Sequence, residues 1–524
     1  MPPSSAPLTL FHMDFNFTCL PAPYIRRWLK KLADMGYTGI LWELEDKIRW
    51  SSCPECVWPE ALSKSEFREI LDFASSLGLE SIPLLQTIGH GEYVLLHEKY
   101  HSFRERPDEH TCYCTSRPEV RAFLKQWINE YLDLFGDIRY FHLGGDEAYA
   151  FASCPECTRQ AEAQGRNQLY AEHICDLAQP ILSRGVRPGI WCDMVLHYPA
   201  EMHRIPRDFV IWDWNYWSFD QPNTRTRVWN HGLISKDQLT PEIQSAYPPI
   251  TDVEGNLVPF YTVDFLKDAG FDVILCSSAR SHGDSVFCPD FEVHYQNVAG
   301  VARKTARAGL LGQCVTSWAI RLNPLETQDL ILRLAPLALR HPDKPVPALL
   351  SEIGAELFGI DPDPFIQAIL ALGKGFAGAG AGTTAIQWSR GKDSLPAPPN
   401  YIAQRISTLE RESPAELTAL REQHRQLAQT FPPALAKIAA FLHTAPRGFE
   451  YIEAWLSVGY FQIQHARLAA LIFNGQANPS LVPWARHLKR RYADWLACSE
   501  TSLSAIKNAG LVYDCLIESC ETQK

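Results

Sequence analysis

Residues 137–149, DIRYFHLGGDEAY, hold a β-rich run that ends on two glycines and then on two adjacent acids. The run DIRYFHL (137–143) is short and rich in branched and aromatic residues, and Gly144-Gly145 closes it, so it predicts a buried strand that stops at a tight turn. Similar runs lie on either side at 8–15 (LTLFHMDF), 38–44 (TGILWEL), 79–85 (LESIPLL), 187–195 (RPGIWCDMV), 208–214 (DFVIWDW), 271–277 (FDVILCS) and 310–318 (LLGQCVTSW). Between them apolar residues recur at helical spacing over 24–35, 63–77, 117–135, 156–184, 259–269 and 290–308, and a last such stretch covers 325–339. Strands alternating with helices predict a parallel sheet. Eight such units within residues 1–340 predict an α/β fold, a (β/α)8 TIM barrel with long insertions. An open doubly wound sheet would call for a Gly-rich phosphate turn after an early strand, and none is present.

Beyond residue 340 strand patterns disappear, and residues 341–524 read as a C-terminal α-helical domain. Long amphipathic helices are predicted at 413–442, 448–474 and 480–508, able to pack as a bundle against the barrel. The Gly/Ala-rich stretch at 373–400 reads as a flexible loop.

Composition narrows the function classes. With 46% apolar and 21% charged residues in 524, the chain can bury a large core. A net charge of −11 opposes nonspecific attraction to nucleic acid or to an anionic membrane, and a neutral or cationic partner fits better. No apolar run approaches the ~18 residues of a membrane span. The N-terminus lacks the pattern of a secretory signal, so the expected compartment is the cytoplasm, with the fifteen cysteines read as reduced thiols, able to include a metal site, and not as a disulfide framework. No coiled-coil heptad announces an oligomer, although a second subunit could close a pocket.

In a barrel, chemistry gathers at the carboxyl ends of the strands. Asp14, Glu43, Glu45, Asp46, Gln86, His90, Asp146, Glu147, Asp193, Asp213, Tyr216, Ser278, Trp318 and Arg321 all fall there. Gly144 and Gly145 would let a ligand approach the backbone. Adjacent residues of an extended chain point in different directions, so Asp146 and Glu147 should address different ligand atoms.

His142-Leu143-Gly144-Gly145-Asp146-Glu147 resembles the H-x-G-G-D-E motif of the family 20 glycoside hydrolases, the β-N-acetylhexosaminidases. The resemblance extends through LWELED (41–46), IPLLQTIGHGEYVL (82–95), FRE (103–105), WCDM (191–194), VIWDW (210–214) and TSWAIR (316–321), and is strongest to the hexosaminidase D-like branch. It implies an exo-acting hydrolase that removes terminal β-linked N-acetylglucosamine or N-acetylgalactosamine from a small glycan or glycoconjugate. In that mechanism the substrate's own 2-acetamido oxygen attacks C1, giving a cyclic oxazolinium and retention of configuration. Glu147 would be the general acid, with a pKa raised by burial, and Asp146 would hold the acetamido N–H. His90 would couple the acid to a carboxylate on the second strand, Asp46 or Glu45 beside it. His142 would support the loop through a hydrogen bond.

Trp191, Trp212, Trp214 and Trp318, with Trp191 and Trp318 foremost, would wall the acetamido group and the sugar ring, whose C–H faces pack on aromatic surfaces. Asp193 would face the same side as Trp191. The tyrosine that orients the acetamido oxygen aligns either at Trp214 or at Tyr216, and only Tyr216 carries the needed hydroxyl. Ile320 stands where many family members have an acid, and strand one lacks their arginine, which leaves Asp14, Glu43 and Arg321 as candidates for the outer sugar hydroxyls. The chemistry requires no cofactor. Two C-P-E-C knuckles, Cys53/Cys56 and Cys154/Cys157, have the spacing of a structural zinc site joining the second and fourth loops, with four reduced thiols as the plainer reading. Rival functions are another acetamido-dependent glycosidase on the same barrel, a catalytically silent carbohydrate-binding barrel, and a zinc-thiolate or redox interaction module.

Overall fold

The structure is a computed structural model that describes residues 6–16, 18–221, 223–281, 283–319, 323–374 and 401–498, together with 503, 506–507 and 510–521. Among the described residues the strands are β1 (Leu8–Asp14), β2 (Gly39–Glu43), β3 (Glu80–Leu84), β4 (Tyr140–His142), β5 (Arg187–Trp191), β6 (Val210–Trp214), β7 (Arg225–Val228), β8 (Gly232–Ser235), β9 (Asp272–Arg280) and β10 (Gly312–Ser317). Eight of them close a parallel barrel in the order β1-β10-β9-β6-β5-β4-β3-β2, with β1 completing the ring against both β2 and β10. All eight predicted strands are present. The remaining pair, β7 and β8, forms an antiparallel hairpin inserted after β6.

Local chemistry sets the crossovers. Helix Lys64–Ser76 begins at a capping box in which Ser63 and Glu66 satisfy each other's free backbone N–H groups. Asp290 caps helix Phe291–Ala308 by accepting from Val293 N. The helix predicted over 156–184 is two, Pro155–Gln164 and Arg166–Leu182, because Gly165 at φ 93° breaks the register in a conformation that side chains disfavour.

Inside the barrel, alternate residues of each strand point inward. Leu8, Leu10, Leu41, Ile82, Leu84, Tyr140, Val210, Trp212, Ile274, Cys276 and Cys314 pack as an apolar plug at the lower end. The same parity, two residues further along, turns polar: His12 and Asp14 on β1, Glu43 on β2, His142 on β4. The plug thus forms the floor beneath a polar mouth.

After the barrel, helices Val346–Phe358, Asp363–Gly373, Tyr401–Glu412, Pro414–Thr444, Phe449–Phe473, Val482–Cys498 and Leu511–Glu521 follow one another. They pack against the loop after β9: Phe287 stacks on Phe461 with centroids 5.5 Å apart, and the buried Gln462 amide donates to Ser285 Oγ at 2.9 Å and to the Leu372 carbonyl at 3.0 Å. The loop expected at 373–400 lies outside the described residues except for Gly373 and Lys374, which end a helix. Among the described residues no helix is long and apolar enough to cross a membrane.

Candidate active site

Three residues at consecutive strand ends, Glu45 (φ 44°), His90 (φ 55°) and Glu147 (φ 46°), hold left-handed backbone conformations. Such geometry costs a non-glycine residue about 1–2 kcal/mol and persists where the surroundings impose it, most often at functional sites. Here it turns the chain sharply after β2, β3 and β4, and the turns after β3 and β4 bring the His90 and Glu147 side chains together over the barrel mouth. Gly89 makes the close approach possible. A Cβ at that position would sit 3.3 Å from the Glu147 carbonyl carbon and closer still to the Asp146 carbonyl oxygen.

The two acids meet at His90, whose Nε2 lies 3.5 Å from Asp146 Oδ2 and 3.4 Å from Glu147 Oε2. Asp146 is buried, and its Oδ1 has no hydrogen-bond partner among the described residues. Glu147 is further out, with 35% of its side chain exposed. Its backbone N–H donates to Asp193 Oδ2 at 2.9 Å, and the Tyr149 hydroxyl donates to its Oε1 at 2.7 Å.

These contacts set the protonation order. Burial raises the Asp146 carboxyl, and the charge of His90 offsets this only in part. The His90 ring loses stability as a cation by burial, but the Asp146 charge and the hydrogen bonds to both acids outweigh the loss and hold its pKa well above the ordinary value. Burial, with the Asp146 charge, pushes Asp193 up to about 8. Glu147 departs from expectation: burial would raise it, yet the His90 hydrogen bond and charge and the Tyr149 hydroxyl together hold it below the usual carboxylate range. The raised carboxyls of this cluster are Asp146 and Asp193, not Glu147.

Aromatic residues line the mouth beside the acids. Trp191 packs on His142 at 4.3 Å and on Trp318 at 5.9 Å between ring centroids. Trp318 donates its Nε1 hydrogen to the Tyr216 hydroxyl at 3.0 Å, and Trp214 points its Nε1 at Asp193 Oδ1, 3.4 Å away. Both alternatives for the tyrosine position therefore reach the mouth, and Tyr216 brings a hydroxyl to the tryptophan cluster. His142 lies beneath: its Nδ1 accepts the Gly144 N–H at 2.9 Å, and burial holds the ring well below its ordinary pKa, so it supports the Gly-Gly turn as a neutral group.

Other expected residues are placed differently. Asp14 receives the backbone N–H groups of Asn16 at 2.7 Å and Ala319 at 2.6 Å, tying β1 to the end of β10. Glu43 is bound by His12 Nε2 and by the Gln86 amide, each at 2.8 Å. Asp46 does not join His90, because the adjacent Lys47 ammonium takes its carboxylate while resting over the Trp58 ring. Arg321 lies outside the described residues. The four knuckle cysteines do not converge: Cys53 and Cys56 are disulfide-bonded to each other, whereas Cys154 and Cys157 gather with Cys114 and Glu105. Cys19, Cys112, Cys175, Cys192, Cys276, Cys288, Cys314, Cys515 and Cys520 are free.

Several contributors carry little signal in the sequence. Tyr149 stands two residues beyond Glu147 in a turn, and Arg227 reaches the acid's electrostatic field from the unforeseen hairpin while stacking on Trp217 at 4.7 Å. His12 and Gln86 alternate inward with their strands, a parity that could have identified them. A small pocket flanks the mouth, lined by His12, Asp14, Arg280, Ser317 and Asn323 among others.

Residues 34–236, which span β2 to the hairpin, match the glycosyl hydrolase family 20 catalytic domain. Hexosaminidase D from Bos taurus is 29% identical over 218 residues, covering 40% of this chain and 63% of that protein, and the Homo sapiens hexosaminidase D is 29% identical over 220 residues, covering 40% and 45%. The chain thus spans less than two thirds of the length of either relative. The β-N-acetylhexosaminidase of Bacteroides fragilis is similar at 17% identity and a TM-score of 0.45, covering 63% of this chain and 65% of that one. Residues 34–236, with the H-x-G-G-D-E turn at the mouth of the barrel, thus match the catalytic domain of glycosyl hydrolase family 20, and over this part the chain is similar to hexosaminidase D.

Proposed function

We propose that the protein is an exo-β-N-acetylhexosaminidase that releases terminal β-linked N-acetylglucosamine or N-acetylgalactosamine by substrate assistance. The carrying observation is the pairing of an inner acid with an unsatisfied acceptor, Asp146 Oδ1, and an outer acid, Glu147, on either side of one histidine. An unsatisfied buried acceptor costs about 1–3 kcal/mol, which an amide N–H would recover. A 2-acetamido group supplies that donor. With Asp146 holding the N–H, the acetamido oxygen is aimed at C1, and Tyr216 is placed among the tryptophans to steady that oxygen by donating its hydroxyl hydrogen. The negative charge of Asp146 then stabilises the cation that develops as the ring closes.

Glu147 delivers the proton to the leaving oxygen and later takes one from the incoming water. Its low pKa in the free protein follows from His90 and Tyr149. A sugar that displaces water and draws His90 toward Asp146 weakens the hydrogen bonding that favours the carboxylate and strengthens the effect of burial, so the proton is acquired as substrate seats. His90 acts here as the positioning and charge-balancing group between the acids. Trp191, Trp214 and Trp318 wall the acetamido methyl and the ring, and Asp193 orients the Glu147 backbone and Trp214. Asp14 and Glu43 border the region where outer hydroxyls would lie. No cofactor takes part. The substrate is a small glycan or glycoconjugate and not nucleic acid or a membrane, in keeping with the charge of −11, and the proposed compartment is the cytoplasm. The division at residue 340 makes the helical part a second domain, to which no chemistry is assigned.

Two substitutions separate the roles. Glu147→Gln should lower kcat by about 10²–10⁴ for poor leaving groups and far less for an activated aryl leaving group. Asp146→Asn should slow both by about 10²–10³, because ring closure itself loses its electrostatic partner. Sugar binding without turnover in the unaltered protein would instead identify a binding barrel.

A further inference from the structure

Behind the mouth, the loops after β3 and β4 meet at a second cluster. Cys114 Sγ lies 3.7 Å from Cys154 Sγ and 3.6 Å from Cys157 Sγ, and Glu105 Oε2 lies 3.4 Å from Cys157 Sγ. All four donor atoms fall within 4.8 Å of one another, and all four residues are at most 9% exposed. We propose that Glu105, Cys114, Cys154 and Cys157 form a structural zinc site that clips the two catalytic loops together.

The spacing fits a tetrahedron. With Zn–S near 2.3 Å and Zn–O near 2.0 Å, the edges between ligands are about 3.8 Å for two sulfurs and about 3.5 Å for sulfur and oxygen. A disulfide would need its sulfurs about 2.05 Å apart, and three sulfurs cannot all pair. The fourth ligand is already oriented. Glu105 Oε1 accepts the backbone N–H groups of Ser153 and Cys154 at 2.8 and 2.9 Å, leaving Oε2 turned toward the sulfurs. Such fixing of a ligand by outer hydrogen bonds is typical of metal sites. The Cys157 N–H also donates to Cys154 Sγ at 3.3 Å, and Ser116 Oγ lies 2.9 Å from Cys157 Sγ, contacts that stabilise thiolate charge. Cys154 caps helix Pro155–Gln164, whose N-terminal dipole adds to the effect.

The clip reaches the catalytic residues through the backbone. Tyr113, next to Cys114, donates its N–H to the Ile88 carbonyl at 2.9 Å, and Gly91 donates to the Thr111 carbonyl at 2.8 Å, so the Cys114 segment is stitched to both sides of His90. Cys154 and Cys157 follow Glu147 on the other loop. Zinc would thus fix the His90 loop against the Glu147 loop without touching substrate, with thiol protons released as the metal binds.

Metal analysis of the full-length protein purified without chelator should give one zinc per chain. Blocking thiols of the folded, unaltered protein with an organomercurial should release that zinc to an indicator dye. Protein stripped and reloaded with cobalt(II) alone should show thiolate-to-cobalt charge-transfer absorption and the visible bands of tetrahedral cobalt. Cys114→Ser with Cys154→Ser should abolish these signals, and Cys53→Ser with Cys56→Ser should leave one zinc in place. Protein that carries no zinc and takes up none when titrated with the ion would overturn the proposal, as would iron in its place or retention of zinc by the Cys114/Cys154 variant.

Discussion

Replacing Tyr149 with Phe removes one hydroxyl from the 2.7 Å contact with Glu147 Oε1 and leaves the His90 contact intact. A hydrogen bond to a charged group is worth about 1.5–3 kcal/mol when shielded from water. Tyr149 is 80% exposed and the Glu147 side chain 35%, so solvent reduces the figure to about 1 kcal/mol. At 1.36 kcal/mol per pKa unit, Glu147 should rise by about 0.7 unit. The general acid works in its protonated form, so kcat/KM falls as pH rises through the free-protein pKa of Glu147. Tyr149→Phe should therefore move the descending limb of the kcat/KM profile upward by about 0.7 unit, and raise the rate above that limb by up to about fivefold. The assay is hydrolysis of a chromogenic 2-acetamido β-glycoside across the acid-to-neutral range. A limb that stays in place, or moves downward, would refute the assignment of Glu147 as the acid tuned by this hydroxyl.

Other positions make equally direct tests. Gly89→Ala forces the His90 loop away from the Asp146–Glu147 backbone; a shift of ~1 Å should cost about 10²-fold in kcat/KM, whereas Gly78→Ala, with nothing within 4 Å, should leave the rate unchanged and only lower the Tm. Asp193 has an ordinary pKa of 3.8 and a folded one of about 8, so between those values the folded protein holds a proton that the unfolded chain has lost, and stability declines as pH rises through the window. Asp193→Asn should flatten the fall of Tm between about pH 4 and pH 8, and an unchanged slope would place the titration elsewhere. Trp318→Ala removes both a wall and the donor to Tyr216; it should raise KM and lower kcat together, and normal kinetics would remove this wall from the site.

Much of the barrel was legible because its strands are buried on both faces and stand out as short apolar runs, each found within a few residues of its predicted place. The hairpin Arg225–Ser235 was not, since RTRV and GLIS are too short and polar to rise above the surrounding loop. Gly165 was read through as part of one helix although its positive φ ends it. At the site, the motif order led to Asp146, Glu147, His90, Trp191, Trp318 and Tyr216, which the fold brings to one mouth. Electrostatic detail is not legible: reading Asp46, or Glu45 beside it, as the partner of His90 leaves out the lysine at 47, and burial alone gives the wrong direction for Glu147, whose two hydrogen-bond donors are set by the fold. The part of Cys114 is not legible, because its partners lie 40 and 43 residues away. Pairing across loops of that length is set by tertiary structure, which spacing within either knuckle does not reveal.

The central claim is that the substrate supplies its own nucleophile, and it is tested by comparing two aryl β-glycosides that differ only at C2. The 2-acetamido compound should turn over, and the 2-hydroxy compound should react more slowly by orders of magnitude. Equal rates on the two glycosides would contradict the account, because a hydroxyl at C2 cannot form the cyclic cation that Asp146 is placed to stabilise.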